Sequence, residues 1–177
     1  MKHAPAGNRP LGFSPGRRLQ FMLDPRNDPY RAKRKARGVL RCPDCGLLCV
    51  QGRWQSDGGD RLAAITKEMT PVDHRCPACQ RIADRYPAGT LTIEGPYAYE
   101  HRSEVLQTAR NVAERLQTEH PLERIMDIEA LDGRLRITTT DVHLVQSIGK
   151  ALHHAFGGLL HYGFAEGQYQ LRVNWVA

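Results

Sequence analysis

The sequence predicts an α+β fold in three parts: a basic arm over residues 1–38, a small cysteine-pinned module over 39–86, and a larger layer of strands and helices over 87–177. Three observations lead there. Residues 1–38 hold ten of the 25 Lys and Arg residues but only two of the 19 acids. Two Cys-x-x-Cys pairs, Cys42/Cys45 and Cys76/Cys79, bracket a stretch of 30 residues. Beyond residue 87 the apolar residues change repeatedly between a spacing of two and one of 3.6, the signatures of strand and helix.

The arm carries a net charge of +8 out of a total of +6, so the remainder of the chain stands at −2. It is rich in Pro, Gly, Arg and Asn and sustains neither period, which predicts a flexible segment. Its cations include Arg17, Arg18 and Arg31, then the run Lys33, Arg34, Lys35 and Arg37, closed by Gly38. That run is made of good helix formers, too few to hold a helix in water. On a polyanion it would have a counter-charge to order against, and these seven side chains are candidate nucleic-acid contacts.

Five cysteines, four of them in two Cys-x-x-Cys pairs, suit a metal site in a reducing compartment better than a disulfide framework. A Cys-x-x-Cys turn points two sulfurs at one spot, and two such turns make a tetrahedral cage with metal–sulfur distances of about 2.3 Å for zinc. Pro43 pre-sets the first turn and Gly46 supplies a positive φ at its exit. The expected ligands of Zn²⁺ are therefore Cys42, Cys45, Cys76 and Cys79, forming a zinc ribbon over residues 39–86. With four protein ligands no position is left for a substrate water, so the metal is expected to be structural. Redox-active dithiols are the alternative, but such a site uses one pair at a helix N-terminus. Cys49 reads as a buried hydrophobe and His74 as a neighbour of the site. Arg41, Arg53, Arg75 and Arg81 flank the two turns, and Trp54 sits next to Arg53. Arg53 and Trp54 are further candidate RNA contacts, a cation beside a ring on which a base can stack; Trp54 packed over the metal site is the other reading.

From residue 87 the pattern gives, in order, a strand at 90–94, a helix at 101–119, a hairpin of 124–131 and 134–140 around Asp132-Gly133, a helix at 142–156 capped by Thr140 or Asp141, and a closing hairpin of 159–164 and 169–176. The order β-α-β-β-α-β-β describes a ferredoxin-like split βαβ sandwich with one added strand. A separate loop is expected at 56–60.

Little of this suits an enzyme. No phosphate-binding glycine loop, nucleophile elbow or His-Glu-x-x-His helix is present. His153 and His154 are adjacent on a helix and diverge by about 100°, so they serve one site poorly even with His161 nearby. No apolar stretch is long enough for a membrane span, no secretory signal opens the chain, and a cytoplasmic location is expected.

Several segments together resemble a known family: Cys42-Pro-Asp-Cys45-Gly46, Gly52-Arg-Trp54, Cys76-Pro-Ala-Cys79-Gln-Arg-Ile82, Pro87-Ala-Gly89, His120-Pro-Leu-Glu-Arg124 and Thr138-Thr-Thr-Asp-Val-His-Leu144. They look like a bacterial zinc-ribbon family of uncharacterised function, itself distantly similar to the archaeal and eukaryotic large-ribosomal-subunit export adapter of the nonsense-mediated-decay group. The resemblance to the bacterial family covers most of the chain from Asp28 onward, while that to the adapter is confined mainly to the cysteine-rich region and implies association with the ribosome or rRNA. Contacts to ribosomal proteins and no small-molecule substrate are expected with it. The expected function is a non-enzymatic, ribosome-associated RNA-binding protein acting in ribosome assembly or dormancy. A zinc-ribbon factor that grips a protein or works in DNA transactions or transcription is the alternative.

Overall fold

The computed structural model describes residues 23–32, 38–56, 59–131, 133–164 and 168–177, and shows a mixed α+β chain with two sheets. The smaller sheet contains β1 (Val39–Arg41), β2 (Leu48–Val50), β3 (Arg53–Gln55) and β4 (Val72–Asp73), in the order β3-β2-β1-β4. The first three form an antiparallel meander, and β4 joins β1 in parallel. Between β3 and β4 lies a helix, α1 (Asp60–Glu68), which follows the loop predicted at 56–60 in a stretch for which no element is predicted. It begins at Gly59 without a side-chain cap, and Ala63, Ala64, Lys67 and Glu68 are exposed. So short a helix, uncapped at its start, carries few of the signals that mark a helix in a sequence. A second helix, α2 (Pro77–Ala83), carries the second cysteine pair.

The larger sheet is built from β5 (Gly89–Glu94), β6 (Ile125–Leu131), β7 (Arg134–Thr139), β8 (Leu159–Phe164) and β9 (Leu171–Val176), ordered β6-β7-β5-β9-β8. A short helix α3 (Pro96–Glu100) and the long α4 (Arg102–Glu119) follow β5, and α5 (Val142–Phe156) follows β7. Strands β5 and β6 are both antiparallel to the intervening β7, which is the expected split βαβ. The closing hairpin is placed differently from a ferredoxin-like sheet: β9 lies beside β5 and parallel to it, and β8, the first strand after α5, is pushed to the edge. Alternation sorts the strand residues. Leu91, Ile93, Leu135, Ile137, Leu171, Val173 and Trp175 are buried under the helices with Val105, Ala109, Leu144, Val145, Ile148 and Leu152. Thr90, Thr92, Arg134, Arg136, Arg172 and Asn174 point to the opposite face. Trp175 is fully buried and its indole N–H donates to the Gly157 carbonyl at 2.8 Å, so the largest core side chain leaves no orphan donor.

Residues 23–31, part of the predicted arm, are packed against the body. Leu23 belongs to the main core. Asp24 caps a 3₁₀ turn over Pro25–Asn27, and Asp28 forms an ion pair with Arg81, which is 2% exposed. Tyr30 donates to Asp84 at 2.8 Å and lies under the Arg81 guanidinium, 4.5 Å from its ring centroid. Part of the predicted flexible arm, residues 23–31, is thus held on the body.

Gly89 opens β5 where a side chain has no room: a Cβ there would meet Thr139 Oγ1 and Val145 Cγ1, each at 2.4 Å. Gly89→Ala should lower unfolding stability by about 1–3 kcal/mol or more, read from urea denaturation. Asp141→Ala, which removes the acceptor that the His143 N–H reaches at 2.6 Å, should lower it by only about 1 kcal/mol.

Candidate metal centre

Two different local structures present the four sulfurs. Residues Cys42 to Gly46 form a tight turn between β1 and β2, with the Gly46 N–H on the Cys42 carbonyl at 2.9 Å and Gly46 at φ 74°. The Cys42 N–H then bonds the Leu47 carbonyl at 2.9 Å, so the turn closes on itself. Cys76 is instead the N-cap of α2, followed by Pro77 at the first helical position, and this sets Cys79 one turn along the same face. The second pair thus has the helix-N-terminal setting of a redox dithiol, but the first pair converges on it.

The ligand atoms of Cys42, Cys45, Cys76 and Cys79 all lie within 4.8 Å of one another, and among the described residues this is the group that could hold a metal ion. Cys42, Cys76 and Cys79 are buried and Cys45 is half-buried. Cys45 and Cys76 are 3.7 Å apart, close to the edge of about 3.8 Å that a tetrahedron with zinc–sulfur bonds of about 2.3 Å requires. All four cysteines are free of disulfides.

Each sulfur accepts at least one directed N–H. The Cys76 N–H donates to Cys42 at 3.3 Å and the Cys79 N–H to Cys76 at 3.4 Å. The other two donors come from the large layer: Arg124 Nη2 reaches Cys45 at 3.3 Å and Nη1 reaches Cys79 at 3.7 Å. Such donors spread the negative charge of thiolates and fix their direction. Burial pushes the Cys42 thiol up, yet the backbone N–H groups of Cys76, Asp44 and Cys45 outweigh it and bring it to about 7. Burial, with the charges of Cys45 and Cys42, pushes Cys76 up to about 11, and burial pushes Cys79 higher still. Four anions packed this closely need a cation among them.

Arg124 lies at the end of the α4–β6 loop, 45 residues beyond the last cysteine; His120-Pro-Leu-Glu-Arg124 is among the segments that carry the family resemblance, but nothing in the sequence links it to the sulfurs. Its Nε is held by the Pro121 carbonyl at 2.9 Å and its backbone N–H by Thr140 Oγ1 at 2.8 Å. Leu122 from the same loop packs against the cysteine cluster.

Of the other predicted site residues, Arg17, Arg18, Lys33, Arg34, Lys35 and Arg37 lie outside the described residues. Arg31 and Arg53 are exposed, and Arg41 likewise; among the described residues none of the three has a carboxylate partner within 4 Å. Arg75 and Arg81 do not belong to a free basic rim. Arg75 bonds Asp44 at 2.5 Å, bracing one turn against the other, and Arg81 is consumed by Asp28. Trp54 packs on the cysteine cluster and stacks with His74, centroids 6.5 Å apart at 18°, while its edge lines a cleft. Cys49 is buried in β2 and burial raises its thiol, which leaves it unreactive. His153, His154 and His161 are exposed and form no cluster with other ligand types among the described residues.

The cleft holds about 670 Å³ between Arg53–Ser56 on the ribbon and residues 118–123 with Asp141 on the large layer. Glu123 lies in it, and burial, then the charge of Asp141, raises its carboxyl above the usual range. Compared with protein-family models, with curated proteins and with solved structures, the chain finds no match.

Two outcomes follow from this geometry. Elemental analysis of the purified, reduced chain should find one metal ion per molecule, lost in Cys76→Ser. A carboxyl raised on folding disfavours the folded state once the pH climbs from its unfolded value near 4.5 through the folded one. Glu123→Gln should therefore melt above the wild type at pH 7 to 8, and the gap should close as the pH falls toward 4.5.

Proposed function

We propose that this chain is a non-enzymatic, ribosome-associated RNA-binding protein held in shape by Zn²⁺. The observation that carries this reading is a sulfur cage whose four ligands all come from protein, beside exposed arginines that form no ion pair with a carboxylate among the described residues. A closed S₄ site of soft thiolates selects zinc and offers no coordination position for a substrate, so the metal stabilises and does not catalyse. What it stabilises is a rigid ribbon, and Arg31, Arg41 and Arg53 are free there to meet phosphate. The cations of residues 1–37 add to the same field, since Leu23 and Asp28 tie that end of the chain to the body.

The larger sheet is read here as a variant of the ferredoxin-like sandwich that supports the ribbon. Its uncovered face is a weaker RNA surface: Arg136 pairs with Glu129 and Arg134 with Glu94 at 3.2 Å, so its cations are largely spent. The resemblance to a family akin to a large-subunit export adapter supplies the ribosome as the RNA's source, with assembly or dormancy as the occasion and the cytoplasm as the place. No helix of the described residues is long and apolar enough to cross a membrane.

A second reading, a ribbon factor that docks on a protein or in a transcription complex, is favoured by Met69 and Val72. They are 47% and 64% exposed, one capping the C-terminal end of α1 and the other in the short edge strand β4. The two readings separate on a sucrose gradient. The tagged chain should co-sediment with a ribosomal particle from growing or starved cells and leave it when rRNA is digested; a chain that stays at the top in both conditions overturns the reading. Binding to rRNA should fall with salt at a slope of about −4 to −5 in log K against log salt if six phosphates are contacted. Arg41→Glu with Arg53→Glu should weaken it about tenfold or more and flatten the slope.

A further inference from the structure

The two prongs of Arg124 take one sulfur from each knuckle, Cys45 from the first and Cys79 from the second. A guanidinium is planar and its N–H groups diverge in a fixed fork, so both bonds form only when those sulfurs stand at the spacing of the fork. The knuckles are separate pieces of chain, one a turn between strands and the other a helix start, and a cation at the centre of the four sulfurs is what holds them at one spacing. The arginine itself is fixed to the larger layer. Its Nε and backbone N–H are held as described, and its carbonyl receives the Thr140 N–H at 2.9 Å. A loaded cage of four thiolates and a divalent cation carries a net charge of about −2, which the guanidinium complements.

We propose that Arg124 is a metal-dependent clasp, holding the ribbon to the larger layer while a cation draws the two knuckles together and letting go when the cation leaves. Docking of the two parts and retention of the metal are then one equilibrium: whatever loosens one loosens the other by the same factor. The α2 end of the ribbon is tied independently: the Asp28–Arg81 pair and the Tyr30–Asp84 bond join it to the segment whose Leu23 lies in the main core. Release of the clasp therefore opens the cleft between Arg53–Ser56 and Thr118–Glu123 and leaves the rest of the chain in place. The inference rests on the metal centre and is independent of the RNA reading.

The test uses the full chain as wild type, Arg124→Ala and Arg124→Lys, each titrated with Zn²⁺ in competition with a chromophoric chelator. Hydrogen exchange over residues 118–126 is followed with and without the metal. Both variants should hold Zn²⁺ about 10–100-fold more weakly. Lysine should recover only part of the loss, because it lacks the Nε–H that holds the side chain on the Pro121 carbonyl and its ammonium ends short of the guanidinium nitrogens. In the wild type, residues 118–126 should exchange faster once the metal is stripped; in Arg124→Ala they should exchange fast in either state. Should Arg124→Ala not fold, Arg124→Lys and the stripped wild type decide the matter. Unchanged affinity in the variants, full rescue by lysine, or wild-type exchange indifferent to the metal would each overturn the clasp. A wild type that takes up no Zn²⁺ would overturn the metal centre along with it.

Discussion

Sulfur atoms gathered within 4.8 Å of one another repel as soon as they ionise, and a cation among them turns that repulsion into the main attraction of the ribbon. Few other forces are available there. The small sheet has strands of two or three residues, and the apolar residues around the cysteines are Leu47, Ala78 and partly Trp54 and Leu122. Such a core is too small to close two distant turns on its own. The larger layer stands apart from this constraint, with a continuous set of buried aliphatics from α4, α5 and the three strands β5, β7 and β9, completed by Trp175.

The sequence made periodic elements legible to within a residue or two. Helix α5 runs over Val142–Phe156 and strand β8 over Leu159–Phe164, both as predicted, because each is amphipathic and bounded by strong punctuation: Asp141 before one, and Gly157 and Gly158 between them. The cysteine spacing likewise pointed to four ligands that the fold brings together. In each case the signal is local, either a period within one element or a turn chemistry within four residues.

What escaped reading is non-local or weakly patterned. Helix α1 is short, with Leu62 and Ile65 as its large apolar residues, and no capping side chain announces its start. The place of β9 beside β5 depends on which edge a hairpin chooses, and its alternation is equally compatible with either strand taking the inner position. Arg81 looked like a surface cation of the ribbon, and only its meeting with Asp28 and Tyr30, more than fifty residues away, makes it a buried one. Arg124 is the extreme case: its chemistry is plain only when the sulfurs it serves are seen from across the molecule.

Leu23 is sealed in the main core while Asp28, five residues on, grips Arg81 of α2, so this short segment braces one core against the other. Helix α2 also carries Cys79 and is capped by Cys76. A polar residue in place of Leu23 would therefore be felt at two of the sulfurs, although it sits among aliphatic side chains that never touch them.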